Sequence, residues 1–398
     1  MQTGLKTACS SEKKSRLSDI PISVLCISAL FVILVLGLPL FGIFLFGPPF
    51  SPNLTLLPIP TEPGTESFSW LVCGLLAVLT TVMLTPIIWR FFQIPVTSRP
   101  DSPHLVGFPW WGWLAILWVV GSWMLAWTRF SWFQAWQPHT FPLLWFGYIL
   151  TLNALTYQRS GQCLLLDRPR FCGKLFLLSA GFWWVFEYLN QFVKNWHYVN
   201  LPETSNFHYV FHTSLAFSTV LPAVLSTYEW LATIPRLTKP FENWHSLPWV
   251  TSHAAGWVLF ALGSLGLGLI GIWPTILFPL LWLSPLCLLL GIQCIRKEKT
   301  CFHGLGQGNW RSVILSALAA LVCGFWWEFW NVYSLVHWEY TIPYVQAFKI
   351  FEMPILGYAG YLPFGLTCLA IAEWILGYQP SHQQKIQSNA SQGNVSLT

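Results

Sequence analysis

The 398-residue sequence predicts an all-α fold: a polytopic integral membrane helix bundle of about ten transmembrane helices, with two parallel four-helix repeats. Three observations carry that expectation. The first is composition: 54% of residues are hydrophobic and 9% are charged, where an average soluble domain has about a quarter charged residues. Bilayer, not water, suits the surface of such a chain. The second is a one-sided distribution of positive charge. The third is an ordered set of matched Trp, Pro and Gly residues in the two halves. The 26 tryptophans fit the same picture, since their amphipathic rings settle at membrane interfaces.

A span needs roughly 20 mostly apolar residues. Ten stretches qualify. The first is Ile22–Phe46; it lacks a small-residue cleavage site and is long for a signal peptide, so it reads as a retained span. A Pro-rich polar loop, Pro48 to Phe68, separates it from the second, Ser69–Trp89. The third and fourth are Pro109–Trp127 and Phe141–Tyr157, the fifth and sixth Leu175–Phe192 and Tyr209–Thr233. The seventh and eighth are Trp249–Ile272 and Thr275–Gln293, the ninth and tenth Ser312–Tyr333 and Phe351–Leu376. The domain organisation follows: a cytoplasmic N-terminal segment (1–21), a two-helix addition (22–107), one membrane repeat (108–235), a second (247–376), and a Gln-, Ser- and Asn-rich tail (377–398) expected to be disordered.

Alternate loops differ sharply in Lys and Arg. Seventeen of the 20 fall in one set, and only Arg129, Lys194 and Lys349 in the other. By the positive-inside rule both termini are expected in the cytoplasm, with the plasma (inner) membrane as location. Asn53-Leu54-Thr55 would then lie outside, as a glycosylation acceptor in a eukaryote.

The proposed repeats rest on matched residues. Phe108-Pro109-Trp110 matches Leu247-Pro248-Trp249, and Phe141-Pro142-Leu143-Leu144-Trp145 matches Phe278-Pro279-Leu280-Leu281-Trp282. Gly181-Phe182-Trp183-Trp184 matches Gly324-Phe325-Trp326-Trp327; Trp196 and Tyr198 match Trp338 and Tyr340; Glu229-Trp230 matches Glu373-Trp374. Units of four spans enter from the same side, so the halves would be related by a pseudo-two-fold along the membrane normal, with a shared site at their interface.

Ionisable residues inside spans are costly and mark function by default. Glu187 with Asn190 and Glu328 with Asn331 stand at i,i+3, on one helix face each. Aligning the Gly-Phe-Trp-Trp tetrads instead sets Glu187 opposite Trp330. Glu352 is expected to open the tenth span. These three glutamates are the candidate catalytic acids or bases. Asn190, Asn331, Trp184, Trp327, His337, Trp338 and Tyr340 are the candidate substrate-binding residues, forming an aromatic pocket on the outer side. Close carboxylates near the axis would share a proton. His208 and His212, at i,i+4, have metal-ligand spacing, but two histidines do not make a metal site, and none is assigned; the cofactor is left open. Cys163 with Cys172, and Cys294 with Cys301, are expected to be free thiols of a reducing compartment.

The sequence has no P-loop, Gly-x-Ser-x-Gly, His-Glu-x-x-His or dinucleotide fingerprint, and no basic face for nucleic acid. The partners expected are the lipid bilayer and a lipid or other amphiphilic small molecule. The leading function is a membrane enzyme acting on a lipid or isoprenoid-like substrate. A proton- or cation-coupled transporter and a non-catalytic assembly subunit are the alternatives.

Overall fold

The computed structural model describes residues 22–47, 68–94, 106–202 and 204–380. The N-terminal segment, Asn53-Leu54-Thr55, Glu203 and the tail from 381 lie outside the described residues. Eleven helices of twelve or more residues build the fold. They are α1 (Ile22–Phe46), α2 (Trp70–Gln93), α3 (Trp110–Trp127), α4 (Thr140–Ser160), α5 (Pro169–Val193) and α6 (Asn206–Phe217). The rest are α7 (Val220–Ala232), α8 (His253–Ile270), α9 (Leu280–Ile295), α10 (Arg311–Asn331) and α11 (Tyr361–Leu376).

Local chemistry sets several ends. Ser69, Ser205 and Ser252 accept from the backbone N–H three residues on, capping α2, α6 and α8. Gly161 and Gly377 close α4 and α11 in the left-handed region, which glycine enters without penalty. Ser218 and Thr219 interrupt the expected sixth span between α6 and α7. Ser179 of α5 stitches that break: its hydroxyl donates to the Phe217 carbonyl (2.6 Å) and accepts from the Leu221 N–H (2.9 Å).

Among the described residues, seven helical stretches are long and apolar enough to cross a membrane, with α6 and α7 together forming one of them. This is a multi-pass membrane protein by composition and length. α4 and α5 fall short on hydropathy because they are interior helices, with Asn153, Glu187 and Asn190 buried; α9 falls short on length, at 16 residues. α2 lies at the other extreme, with no buried residue.

Two series of helix contacts build the bundle. α3 packs on α4 as α8 packs on α9; α4 packs on α7 as α9 packs on α11; α5 packs on α7 as α10 packs on α11. α7 and α10 join one half to the other. At the α10–α11 crossing, a methyl group at Gly365 would overlap the Ser316 carbonyl oxygen. Gly365→Ala should therefore push the two helices apart and cost about 1–3 kcal/mol. A lowered thermal midpoint in detergent, read by size-exclusion, checks this; an unchanged midpoint would deny that the contact limits packing.

Two features depart from an all-helical expectation. Strand β1 (Trp196–Val199) pairs antiparallel with β2 (His337–Tyr340), with Trp196 opposite Tyr340, His197 opposite Glu339 and Tyr198 opposite Trp338. A smaller hairpin pairs β3 (Lys349–Ile350) with β4 (Met353–Pro354). Glu352 sits in its turn, so it does not open a helix: a 3-10 stretch, Ile355–Gly360, follows, and α11 begins only at Tyr361. Tyr378, placed in the expected tail, is instead buried, its hydroxyl donating to Glu229 Oε1 at 2.6 Å.

The charged loops sort to two ends. At one, Arg90 donates to the carbonyls of Pro240 and Asn243, Arg159 to Thr233, Arg168 to Gln379, and Arg311 to Glu242. At the other, Arg129 donates to the Tyr333 carbonyl, and the Thr341 hydroxyl to that of Lys194, beside the β1–β2 ribbon.

Candidate functional site

Glu187 and Glu328 end up in the same local arrangement. Glu328 lies in the last turn of its helix and Glu187 in the turn before the last, each three residues before an asparagine that clamps the following strand. Asn190 Oδ1 accepts from the Asn195 N–H (2.8 Å), and its amide donates to the Trp196 carbonyl (2.8 Å). Asn331 Oδ1 accepts from the Trp338 N–H (2.9 Å), and its amide donates to the Trp338 carbonyl (2.7 Å). Both asparagines are buried, so neither clamp competes with water. Asn331→Asp keeps the shape but removes the donor, leaving the Trp338 carbonyl unpaired. A loss of about 1–3 kcal/mol is expected, measurable as a lower unfolding midpoint; no change would show that the clamp is dispensable.

The glutamates hold the side chains of the same strands. Glu187 Oε1 accepts from Trp183 Nε1 (2.9 Å), Trp196 Nε1 (3.2 Å) and the Tyr198 hydroxyl (2.6 Å). Glu328 Oε1 accepts from the hydroxyls of Tyr340 (2.7 Å) and Tyr361 (2.8 Å), and Tyr340 in turn accepts from Trp338 Nε1 (2.9 Å). Glu328 Oε2 is buried and takes no hydrogen bond. Burial first, then the neighbouring carboxylate, hold the phenols of Tyr198 and Tyr340 well above their usual range. Both therefore keep their protons and act as donors.

Glu187 is bonded to its strand as Glu328 is to its own, whereas Trp330, which the tetrad alignment sets opposite Glu187, is buried between Trp145 and Trp326. The position four residues before each glutamate differs. Trp183 fills that position in one half. Gly324 fills it in the other, where a methyl group would overlap the Tyr361 ring. Tyr361 occupies the vacated space and supplies the missing donor. A helix need not gain or lose residues; the donor changes element.

A cavity of about 710 Å³ opens over these networks. Its wall is mostly aromatic: Trp183, Trp196, Trp282, Trp327, Trp338 and Tyr361 contribute, and Trp132 and Trp136 stand at the exposed rim. Tyr198 and Tyr340 reach the wall too, so each presents a phenol whose oxygen is backed by a buried carboxyl. Trp196 stacks on Trp282 at 5.8 Å, and Trp327 on Tyr361 at 5.8 Å.

Of the residues expected at the site, Asn331, Trp327, His337, Trp338 and Tyr340 line the cavity. Asn190 lies behind it as a backbone clamp. Trp184 points elsewhere, its indole N–H donating to the Ser214 hydroxyl (2.9 Å). Adjacent helix residues face directions about 100° apart, so Trp183, one turn from Glu187, is the tryptophan that shares its face. Glu187 and Glu328 sit behind the wall, each with its own donors, and no hydrogen bond joins them. The shared-proton pair is thus not formed: the strand aromatics satisfy each carboxyl separately. Glu352, in its hairpin turn, is not part of the wall. His208 and His212 do line it, together with His139, but no His, Cys, Asp or Glu cluster among the described residues is placed to hold a metal ion. The described cysteines are free thiols.

Trp183, Tyr198, Tyr361, Trp282 and His139 are wall residues missing from the expected site. Spacing from Glu187 could have found Trp183. Tyr361, 33 residues from Glu328, carries no such signal.

The architecture defines the class, a multi-pass helical membrane protein. Comparison with known proteins finds no matching family model, no similar curated protein and no similar solved structure.

Proposed function

We propose that this protein is a membrane enzyme that holds the apolar chain of a lipid or isoprenoid-like amphiphile in the aromatic cavity and protonates it through a phenol–carboxyl pair. The observation that carries the reading is the placement of Tyr198 and Tyr340: both line the cavity, and both are hydrogen-bonded to a buried glutamate. In the step proposed, the Tyr340 hydroxyl gives its proton to a carbon–carbon double bond and takes one from the protonated Glu328. The π-faces of Trp327 and Trp338 steady the resulting cation. Loss of a proton back to the same pair ends a redox-neutral isomerisation or ring closure, in which no oxidant or reductant is consumed. A cavity of this size and apolar lining suits a small lipid.

The ten-span topology, with cytoplasmic termini and the ribbon end outside, belongs to the same proposal. It is supported by the sorting of the arginine-rich loops to the end opposite the ribbon. The duplication is supported by the ribbon register. If Trp196 corresponds to Trp338 and Tyr198 to Tyr340, the outer pairs of β1–β2 are one pair seen from either half, as a two-fold axis through His197 and Glu339 requires. A transporter is the weaker reading, because both carboxyls are reached only through fixed phenols.

The test has two parts. Tryptophan-to-pyrene energy transfer should report saturable binding of 1-pyrenedecanol to the detergent-purified protein. Polyunsaturated and isoprenoid lipid extracts incubated with the protein should yield an isomer of unchanged mass, and Glu328→Gln should abolish that product while the protein stays monodisperse. Saturable binding with no product from any extract would leave a lipid-binding scaffold in place of an enzyme.

A further inference from the structure

His139, His208 and His212 meet at one side of the cavity from two separate elements. His139 ends the 3-10 turn Gln137–His139 before α4, and the other two lie one turn apart on α6. The rings of His139 and His212 stack at 3.8 Å and 16°, and His208 stands edge-on to His212 at 6.4 Å. His208 is exposed and His139 and His212 are half-buried, so a ligand in the cavity can reach all three rings.

The charges around them are sparse. Among the described residues, no Asp, Glu, Lys or Arg lines the cavity. The fourth lining histidine, His337, is paired with Glu339 (3.5 Å), as is His197 (3.6 Å). From α4, Arg159 is engaged at the far end with Thr233. From α5, Glu187 is bound by Trp183, Trp196 and Tyr198. Arg129 donates to the backbone of Ala126 and Tyr333, and Lys194 stays outside the wall. Among the described residues, these imidazoles are the groups on the wall able to gain positive charge that have no carboxylate partner. Partial burial first, then His212 and His208, hold His139 below its ordinary value.

We propose that His139, His208 and His212 seat the anionic headgroup of the amphiphile, a carboxylate or phosphate, whose chain occupies the aromatic cavity. This rests on the chain-binding reading above and adds the headgroup class. An anion held at the nitrogen edges of the rings favours their protonated forms, so binding takes up a proton. Affinity for an anionic amphiphile then rises as pH falls through the ordinary histidine range, near about 6.5, and affinity for a neutral one does not.

The experiment compares 1-pyrenedecanesulfonate, whose charge is fixed across this range, with 1-pyrenedecanol, by energy transfer from tryptophan in the full-length protein. At about pH 6 the sulfonate should bind at least tenfold more tightly than the alcohol, the effect of about one charge-assisted hydrogen bond. The preference should shrink by about pH 8. In the double variant His139→Gln with His212→Gln, the ratio of sulfonate to alcohol affinity, measured on the same protein, should fall to about one at both pH values. Ethanesulfonate, which has no chain, should not compete at equal concentration; if it does, the site takes free anions and the lipid headgroup assignment is wrong. Equal affinity of sulfonate and alcohol in the wild type, or a preference that survives the double variant, overturns the proposal while leaving chain binding intact. Failure of the alcohol itself to bind overturns both.

Discussion

Replacing Glu328 by leucine is expected to give the largest loss of stability of any single substitution at the ribbon end of the bundle. Glu328 Oε1 accepts from Tyr340 and Tyr361, and all three side chains are buried. Leucine fills much of the volume but leaves two largely buried phenols without their carboxyl acceptor. A hydrogen bond contributes about 0.5–1.5 kcal/mol, and an orphaned buried donor costs about 1–3 kcal/mol. The two losses share one network and do not add fully. A fall on the order of 3 kcal/mol is the expected result. Tyr340 would also lose its anchor on α10, leaving the Asn331 clamp to hold β2 there. Glu328→Gln retains an acceptor oxygen and should cost far less. Thermal unfolding of both variants in the same detergent separates them: a marked drop for leucine and a small one for glutamine is expected. Equal midpoints would mean that the carboxyl does not anchor the strand.

Ala216→Trp should have the opposite profile, with stability kept and binding lost. Ala216 lines the cavity from α6, one residue before the buried Phe217 and just ahead of the break at Ser218. An indole there projects into empty space, not into packed side chains, so it displaces ligand and not protein. Affinity for 1-pyrenedecanol should fall at least tenfold, a loss of at least about 1.4 kcal/mol. The unfolding midpoint should stay near that of the wild type. Unaltered probe affinity would place the bound chain somewhere other than this cavity.

Much of the architecture is legible in the sequence because lipid imposes it. Runs of about 20 apolar residues mark α1, α2, α3, α8 and α10, whose faces meet solvent of one kind. α4 and α5 are less legible, since interior helices carry Asn153, Glu187 and Asn190 that lower hydropathy without excluding them from the bundle. The Glu-x-x-Asn pairs are legible as buried polar clusters, because a buried carboxyl must find donors and i,i+3 spacing puts both groups on one face. The β1–β2 ribbon was not legible. Its strands are four residues each and lie in stretches that read only as aromatic loops. Their pairing joins residues more than 130 positions apart, such as Trp196 and Tyr340, and local propensity says nothing about it. Glu352 misled for a related reason: before Pro354 and Gly357 it resembles the polar start of a helix, but the Lys349–Pro354 hairpin uses it as a turn. The donor swap between Trp183 and Tyr361 is invisible without coordinates, because it replaces a neighbour in sequence with a neighbour in space.

The central claim is that the aromatic cavity holds the chain of an amphiphile. Native mass spectrometry of the wild type and Ala216→Trp, each released from the same lipid nanodiscs, tests it most directly. The account predicts a discrete adduct of lipid mass on the wild type that persists at collision energies stripping bulk lipid, and its absence from Ala216→Trp. Identical adducts on both proteins, or none on either, would contradict it.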